Sequence, residues 1–400
     1  MAVLSLAIVS TTIAGRTIYV DNDGPADFNN IQAAIDDSND GDTIIVADGI
    51  YTGEGNRDIE FSHGLPEGQT RAITVRSANG PGNCIIDCNG TSYFLDRHRG
   101  FYFHSGEDAN SVINGFTITN GYAPLVAILP PTGMAESLGG AILCWWGSSP
   151  TITNCMFKNN KAKSDSFPGR GGGIACWGSN VTIINCTFGG NSADSGGGMS
   201  SLGHRPTLTN CTFSHNLTTM YGGGIDSFDS SPKLTNCVLW NNEATKGAQI
   251  SLRYNGTITV SYSDVEGCQT EAYIEAGCTL NWMPGNIDAD PCFADPCNGD
   301  YHLKSQAGRW DANEGRWTND KVTSPCIDAG NPNSSIGAEP FPNGGIINMG
   351  AYGGTAEASK SYFGEPLCET IVAGDINGDC KVNFLDFRLI ALHWLRDENQ

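Results

Sequence analysis

Between Gly139 and Asn242 one short unit is written four times. Each copy opens on a glycine run and an aliphatic residue: Gly139-Gly140-Ala141-Ile142, Gly171-Gly172-Gly173-Ile174, Gly196-Gly197-Gly198-Met199 and Gly222-Gly223-Gly224-Ile225. An Asn-Cys pair follows: Asn154-Cys155, Asn185-Cys186, Asn210-Cys211 and Asn236-Cys237. Two residues after each Cys stands Phe157, Phe188, Phe213 or Leu239, and three further on Asn160, Asn191, Asn216 or Asn242. The Asn-Cys pairs are spaced by 31, 25 and 26 residues. A period of this size marks a stacked repeat, in which units too small to bury their own apolar face share one core.

The units are β-rich. Thr151-Ile152-Thr153, Val181-Thr182-Ile183 and Thr207-Leu208-Thr209 alternate as strands do, and no unit has room for an ordinary helix. The expected fold is all-β, a right-handed parallel β-helix with rungs about 4.8 Å apart. The Phe positions then form an internal stack, each ring contributing roughly 1.5–3 kcal/mol of burial. The recurring Asn amides can bond from rung to rung, because each both donates and accepts. The Cys column reads as small buried hydrophobes, and the glycines as tight corners at positive φ.

The glycine run paired with F-x-x-N resembles the repeat of chlamydial polymorphic outer-membrane proteins, and more broadly that of the pectate-lyase-like β-helix superfamily. The motif covers about a quarter of the chain. The resemblance implies the fold and leaves the activity open, since that superfamily holds lyases, hydrolases, adhesins and passive stalks.

Along the 400 residues, 1–14 form an apolar, uncharged stretch resembling a secretory signal peptide, although it lacks a basic start. The alternative is a leading strand of the solenoid. Residues 15–300 read as the β-helix. Asn29 or Asn30 can cap a short helix carrying Ile31 and Ile35, which would plug the N-terminal end, and Asp42 to Val46 is read as opening the first rung. Gly121 to Ser137 and Lys161 to Arg170 are insertions at one corner of adjacent rungs, so they would project from the same side. Residues 301–364 read as a last coil and C-terminal cap, with Ser324 to Gly330 and Asn348 to Gly354 resembling the closing segment of secreted bacterial β-helix proteins.

Residues 365–400 carry the most specific motif. Asp375, Asn377, Asp379, the Lys381 carbonyl, Asn383 and Asp386 occupy positions 1, 3, 5, 7, 9 and 12 of an EF-hand-type calcium loop. The loop and the helix after it resemble one half of a dockerin, which implies Ca²⁺ and a cohesin-like or cell-surface partner. Cys380 stands where such loops place Gly, Asp386 replaces the bidentate Glu, and a second repeat is absent from the sequence.

The net charge of −21 argues against nucleic acid and suits a secreted or cell-surface protein. No stretch is long and apolar enough to cross a membrane. Of fifteen cysteines, six belong to repeat columns; Cys84 with Cys88, Cys268 with Cys278, Cys292 with Cys297, and Cys368 with Cys380 are near enough in sequence to be considered for pairing.

The expected role is to bind or process an extracellular polysaccharide, the calcium-loop tail serving attachment. If an enzyme, the chain would be a polysaccharide lyase or a glycoside hydrolase. A lyase needs a base, for which Arg97, His98, Arg99 and His104 are the candidates. A hydrolase needs two facing carboxylates. Asp226 and Asp229 share a rung, but the aligned positions are Leu143, Ala175 and Ser200, so no pair is visible on that face. Trp145, Trp146, Trp177 and Phe228 fall at matching places after the glycine corner and, facing outward, would make a platform for sugar rings. The alternative role is a non-catalytic adhesin or structural stalk.

Overall fold

The computed structural model describes residues 15–127, 135–164, 168–364, 372–377 and 381–394. Three long parallel sheets wind around one core. Sheet 1 has ten strands, from Thr17–Val20 to Thr279–Trp282; sheet 2 has eight, from Gly49–Thr52 to Asp264–Val265; sheet 3 has seven, from Phe101–Phe103 to Tyr273–Ile274. One rung runs through Ile142–Trp145 in sheet 3, Thr151–Thr153 in sheet 1 and Met156–Lys158 in sheet 2. It then turns a corner and enters Ile174–Trp177, which pairs in register with Ile142–Trp145. The chain folds as a right-handed parallel β-helix. The first strand of sheet 1 is Thr17–Val20, paired with Thr43–Val46, so the solenoid begins one strand before Asp42.

The recurring residues hold the rungs together. Phe157, Phe188 and Phe213 are fully buried, with ring centroids 4.8 and 4.2 Å apart. The amide nitrogens of Asn160, Asn191 and Asn216 each donate to the side-chain oxygen of the Asn one rung on, at 3.0, 2.9 and 2.8 Å, and Asn242 passes the chain to Gln249. Asn154, Asn185, Asn210 and Asn236 sit at φ of 51–56° and make the bend from sheet 1 to sheet 2, a conformation Asn tolerates better than most residues. Gly171 takes φ +69° at the opposite corner. A Cβ on Gly198 would lie 2.6 Å from the Phe213 ring, so the glycine run also lets the corner close over the stack.

At the N-terminal end the helix Ile31–Asp37 is capped by Asn30, whose side chain accepts from Ala33 N–H at 2.9 Å. Its Ile31, Ala34 and Ile35 belong to the main core. Towards the C-terminus the regular rungs give way to two antiparallel hairpins, Phe293–Asp295 with Asp300–Leu303 and Arg309–Asp311 with Arg316–Thr318. The residues after them lie along the flank of the solenoid. Asn185 donates to the Ala351 and Gly353 carbonyls at 2.8 and 2.7 Å, and Ala351 N–H donates to Thr212 Oγ1 at 3.0 Å. A second apolar cluster, including Val238, Tyr301, Cys326 and Met349, seals this seam.

The described cysteines are all free thiols, so Cys84 does not pair with Cys88, nor Cys268 with Cys278, nor Cys292 with Cys297. Cys84 and Cys88 show why proximity in sequence misleads. Both turn inward from one extended segment, where four residues span about 13 Å, beyond the reach of a disulfide. Cys368 and Cys380 lie outside the described residues, as do residues 1–14. Among the described residues no helix is long and apolar enough to cross a membrane.

Candidate functional site: the outer face of sheet 3

Side chains alternate in and out along each sheet 3 strand. Ile142, Ile174, Met199, Ile225 and Ile250 point into the core. One outward column runs through Tyr102, Leu143, Ala175, Ser200, Asp226, Ser251 and Tyr273. A second runs through Trp145, Trp177, Leu202, Phe228 and Arg253.

The two insertions wall this face. Ala135–Leu138 pairs antiparallel with Leu125–Ala127 and parallel with Gly169–Arg170, extending a six-stranded corner sheet that continues through Ser192–Ser195 to Leu217–Tyr221. Leu138 packs on Leu143 and Ala175, which buries the first column beneath the wall. The second column stays partly open beside it, with the Trp145 and Trp177 rings 5.2 Å apart. Trp146 sits in the following turn at φ +48°, 63% exposed, its ring 6.2 Å from Trp145. Phe228 stacks on Tyr254 at 4.2 Å.

An ionic cluster occupies the C-terminal end of the face. Asp226 is fully buried; it accepts from Arg253 Nε at 3.1 Å and Nη2 at 2.6 Å, and from Ser251 Oγ at 2.6 Å. Arg170 lies 3.9 Å from the same carboxylate and bonds Glu136 at 2.8 Å. The insertion therefore supplies a second carboxylate to a face where the sequence shows only Asp226, and Arg170 stands between the two. Burial pulls Arg253 down, but the hydrogen bond and charge of Asp226 outweigh it and the guanidinium stays protonated above its ordinary range. Both arginines cover Phe228, at 5.3 and 5.1 Å, and Arg253 also lies 4.1 Å over Tyr221. Lys246 sits between Tyr221 and Tyr273 at 5.4 and 4.7 Å. Cations held against aromatic faces keep their charge and are still free to meet an anion.

The candidate bases gather at the other end. Arg99 is buried, 4.9 Å over the Tyr102 ring, and Arg97 lies 5.0 Å over Tyr122. Burial pushes Arg99 down to about 10, against a weaker upward pull from Asp58. His98 is held by Asp58 at 2.5 Å and Asp96 at 3.5 Å. His104 Nε2 lies 3.4 Å from Glu60, whose hydrogen bond raises its pKa against the effect of burial. Arg97 reaches Ser137 Oγ and Arg99 the Pro124 carbonyl, both at 3.5 Å, so this cluster abuts the same wall.

Asp58, Glu60, Glu136, Arg170, Tyr221, Lys246 and Arg253 escaped the sequence reading. For Arg253 a signal existed. Aligning Ile250-Ser-Leu-Arg on Ile225-Asp-Ser-Phe puts it in the aromatic column. The others lie in insertions or unique segments, where no period ranks one residue above another.

The tail loop is separate from this face. Asp375, Asn377 and Asp386 are turned in and buried. Asp386 accepts backbone N–H groups from Asn383 and Ile376 at 2.7 Å and from Asn377 at 3.3 Å; these bonds, that of Asn383 foremost, hold its carboxyl below the usual range. An ionised carboxylate closing a loop of oxygen-bearing side chains fits a hard cation. Lys381 and Asn383 are exposed, and Asp379 lies outside the described residues. The helix Phe384–Trp394 follows; Leu389 is buried while Phe384, Phe387 and Ile390 are exposed.

Comparison with known proteins adds the following. Residues 157–287 match the family described as right handed beta helix region, and residues 267–330 match the family described as disaggregatase related. No curated protein matches. Among solved structures the chain is similar to pectate lyase Pel9A, at 16% identity over 85% of this chain and 96% of that one, with a TM-score of 0.47. It is also similar to pectin methylesterase from carrot, at 12% identity over 70% and 85%, with a TM-score of 0.34.

Proposed function

We propose that the chain binds or processes an extracellular polysaccharide laid along the outer face of sheet 3. The observation that carries this reading is the outward column Trp145, Trp177, Leu202, Phe228 and Arg253, half open beside a wall built from insertions. Seven rungs at about 4.8 Å give a face roughly 29 Å long, enough for several sugar rings. Aromatic rings offer stacking surfaces, and Arg170, Lys246 and Arg253 supply local positive charge on a chain of net −21. An acidic glycan suits that face better than a neutral one.

If the glycan is cut, lyase chemistry has the better placed groups. Arg253 stays charged beside Asp226 and serves to bind an anion. Arg99, lowered by burial, and His104 beside Glu60 stand where a proton could be taken from a bound sugar. The reading of a non-catalytic adhesin rests on Asp226, whose oxygens are already engaged. The tail would bind Ca²⁺ through Asp375, Asn377, Asp379, Lys381, Asn383 and Asp386 and attach the protein to a cohesin-like or cell-surface partner, which accords with its exposed apolar helix face. Secretion or display at the cell surface goes with this role.

The test is product analysis on acidic and neutral polysaccharides, with calcium and with chelator. An unsaturated product abolished by Arg99→Met would establish the lyase. Binding without product would establish the adhesive role, and neither binding nor product would contradict both.

A further inference from the structure

Sheet 2 carries a second concavity, on another side of the solenoid. The hairpin 293–303 stands off the strands and leaves a cavity of about 410 Å³ lined by Ser214, Trp240, Asp290, Asp295 and Lys304. A smaller cavity of about 90 Å³ lies beside it, against Lys158 and Tyr301. His215 and Pro296 line both, so the two form one trench. The larger part falls in the range that encloses small ligands.

Ser214 and Trp240 are paired in register on adjacent strands and form the floor. His215 follows at φ +58° and is fixed at both nitrogens. Asn241 Nδ2 lies 2.7 Å from His215 Nε2, and Ser214 Oγ lies 2.9 Å from Nδ1. The amide must donate, so Nε2 accepts and Nδ1 carries the proton to Ser214. Asn241 Oδ1 faces solvent as an acceptor. The rim therefore offers carboxylate and amide acceptors, a Lys304 ammonium donor and the face of a half-buried Trp. Neither a purely apolar nor a strongly charged ligand matches that set. Two carboxylates against one ammonium, on a chain of net −21, oppose an anion.

We propose that this trench binds a neutral sugar unit, independently of the face of sheet 3. Hydroxyl groups would bond the Asp290, Asp295, Asn241 and Lys304 side chains while one sugar face rests on Trp240.

The experiment uses the full chain labelled with 5-fluorotryptophan. The Trp240 resonance is assigned by its loss in Trp240→Leu. Methyl glycosides of glucose, galactose and mannose, and galacturonic acid, are titrated at millimolar concentration. At least one neutral glycoside is expected to shift the Trp240 resonance. That shift is expected to vanish in His215→Asn, in which Asn tolerates the positive φ and the other tryptophan resonances report an intact fold. It should persist in Trp177→Ala, which alters sheet 3 alone, so failure of the polysaccharide reading and failure of this one are distinguishable. The proposal is overturned if no neutral glycoside moves Trp240, if galacturonic acid moves it as far, or if His215→Asn leaves the shift unchanged.

Discussion

Asn191 carries the solenoid at the scale of one residue. Its amide donates to the Phe157 carbonyl and to Asn216, and its oxygen accepts both the backbone and the side-chain N–H of Asn160. Asn191→Leu would leave these buried groups without partners, at about 3 kcal/mol or more. Urea unfolding should register that loss, and a cost near zero would mean the ladder is ornamental. Asp226 poses the opposite case. Its charge is tolerated because Arg253 meets it, so Arg253→Met should cost about 3 kcal/mol. Adding Asp226→Asn should recover most of the loss; an additive double variant would show that the pair is not coupled. The Asn ladder was legible in the sequence because it recurs at a fixed offset. The Asp226–Arg253 pair was not, because each residue occurs once and their meeting depends on register.

Among the elements, the corner insertions do most to distinguish this solenoid. Their shared side could be read from their position in adjacent units. That they become strands of a corner sheet, and deliver Glu136 and Arg170 to Asp226, could not, since those contacts span unrelated segments. The tail loop is the converse: its ligand spacing is explicit in sequence, and the described part closes around Asp386. Asp375→Ala with Asp379→Ala should abolish calcium uptake in calorimetry and leave the β-sheet circular dichroism intact. Loss of that β-signal would show that the tail is needed to fold the solenoid.

Across the whole molecule, the buried acids set the response to pH. Burial raises Asp264 to about 7, despite its bond from Cys326, raises Glu339 to about 7, and raises Asp328 to about 6. In each case the folded chain binds a proton that the unfolded chain releases near 4, so stability falls as pH rises from about 4 to 7. His302 is also raised: burial opposes its charge, but bonds to Asp300 and Glu357 prevail, and its contribution is lost above its folded pKa. Asp42 and Asp300 act in the other direction. They are lowered despite burial, and their stabilisation is lost as pH falls below 4. Melting temperature should therefore peak between about pH 4 and 6 and decline by pH 8. A midpoint rising steadily to pH 8 would contradict this, and Asp264→Asn should flatten the decline.

The claim on which the functional account turns is that a polysaccharide lies on sheet 3. Affinity electrophoresis through gels containing acidic or neutral polysaccharides tests it most directly, comparing the natural chain with Trp145→Ala/Trp177→Ala. The account predicts retardation by at least one acidic polysaccharide, weakened about tenfold or more in the double variant, whose stability is otherwise retained. Retardation that is unchanged when both rings are removed would place the glycan elsewhere and contradict the account.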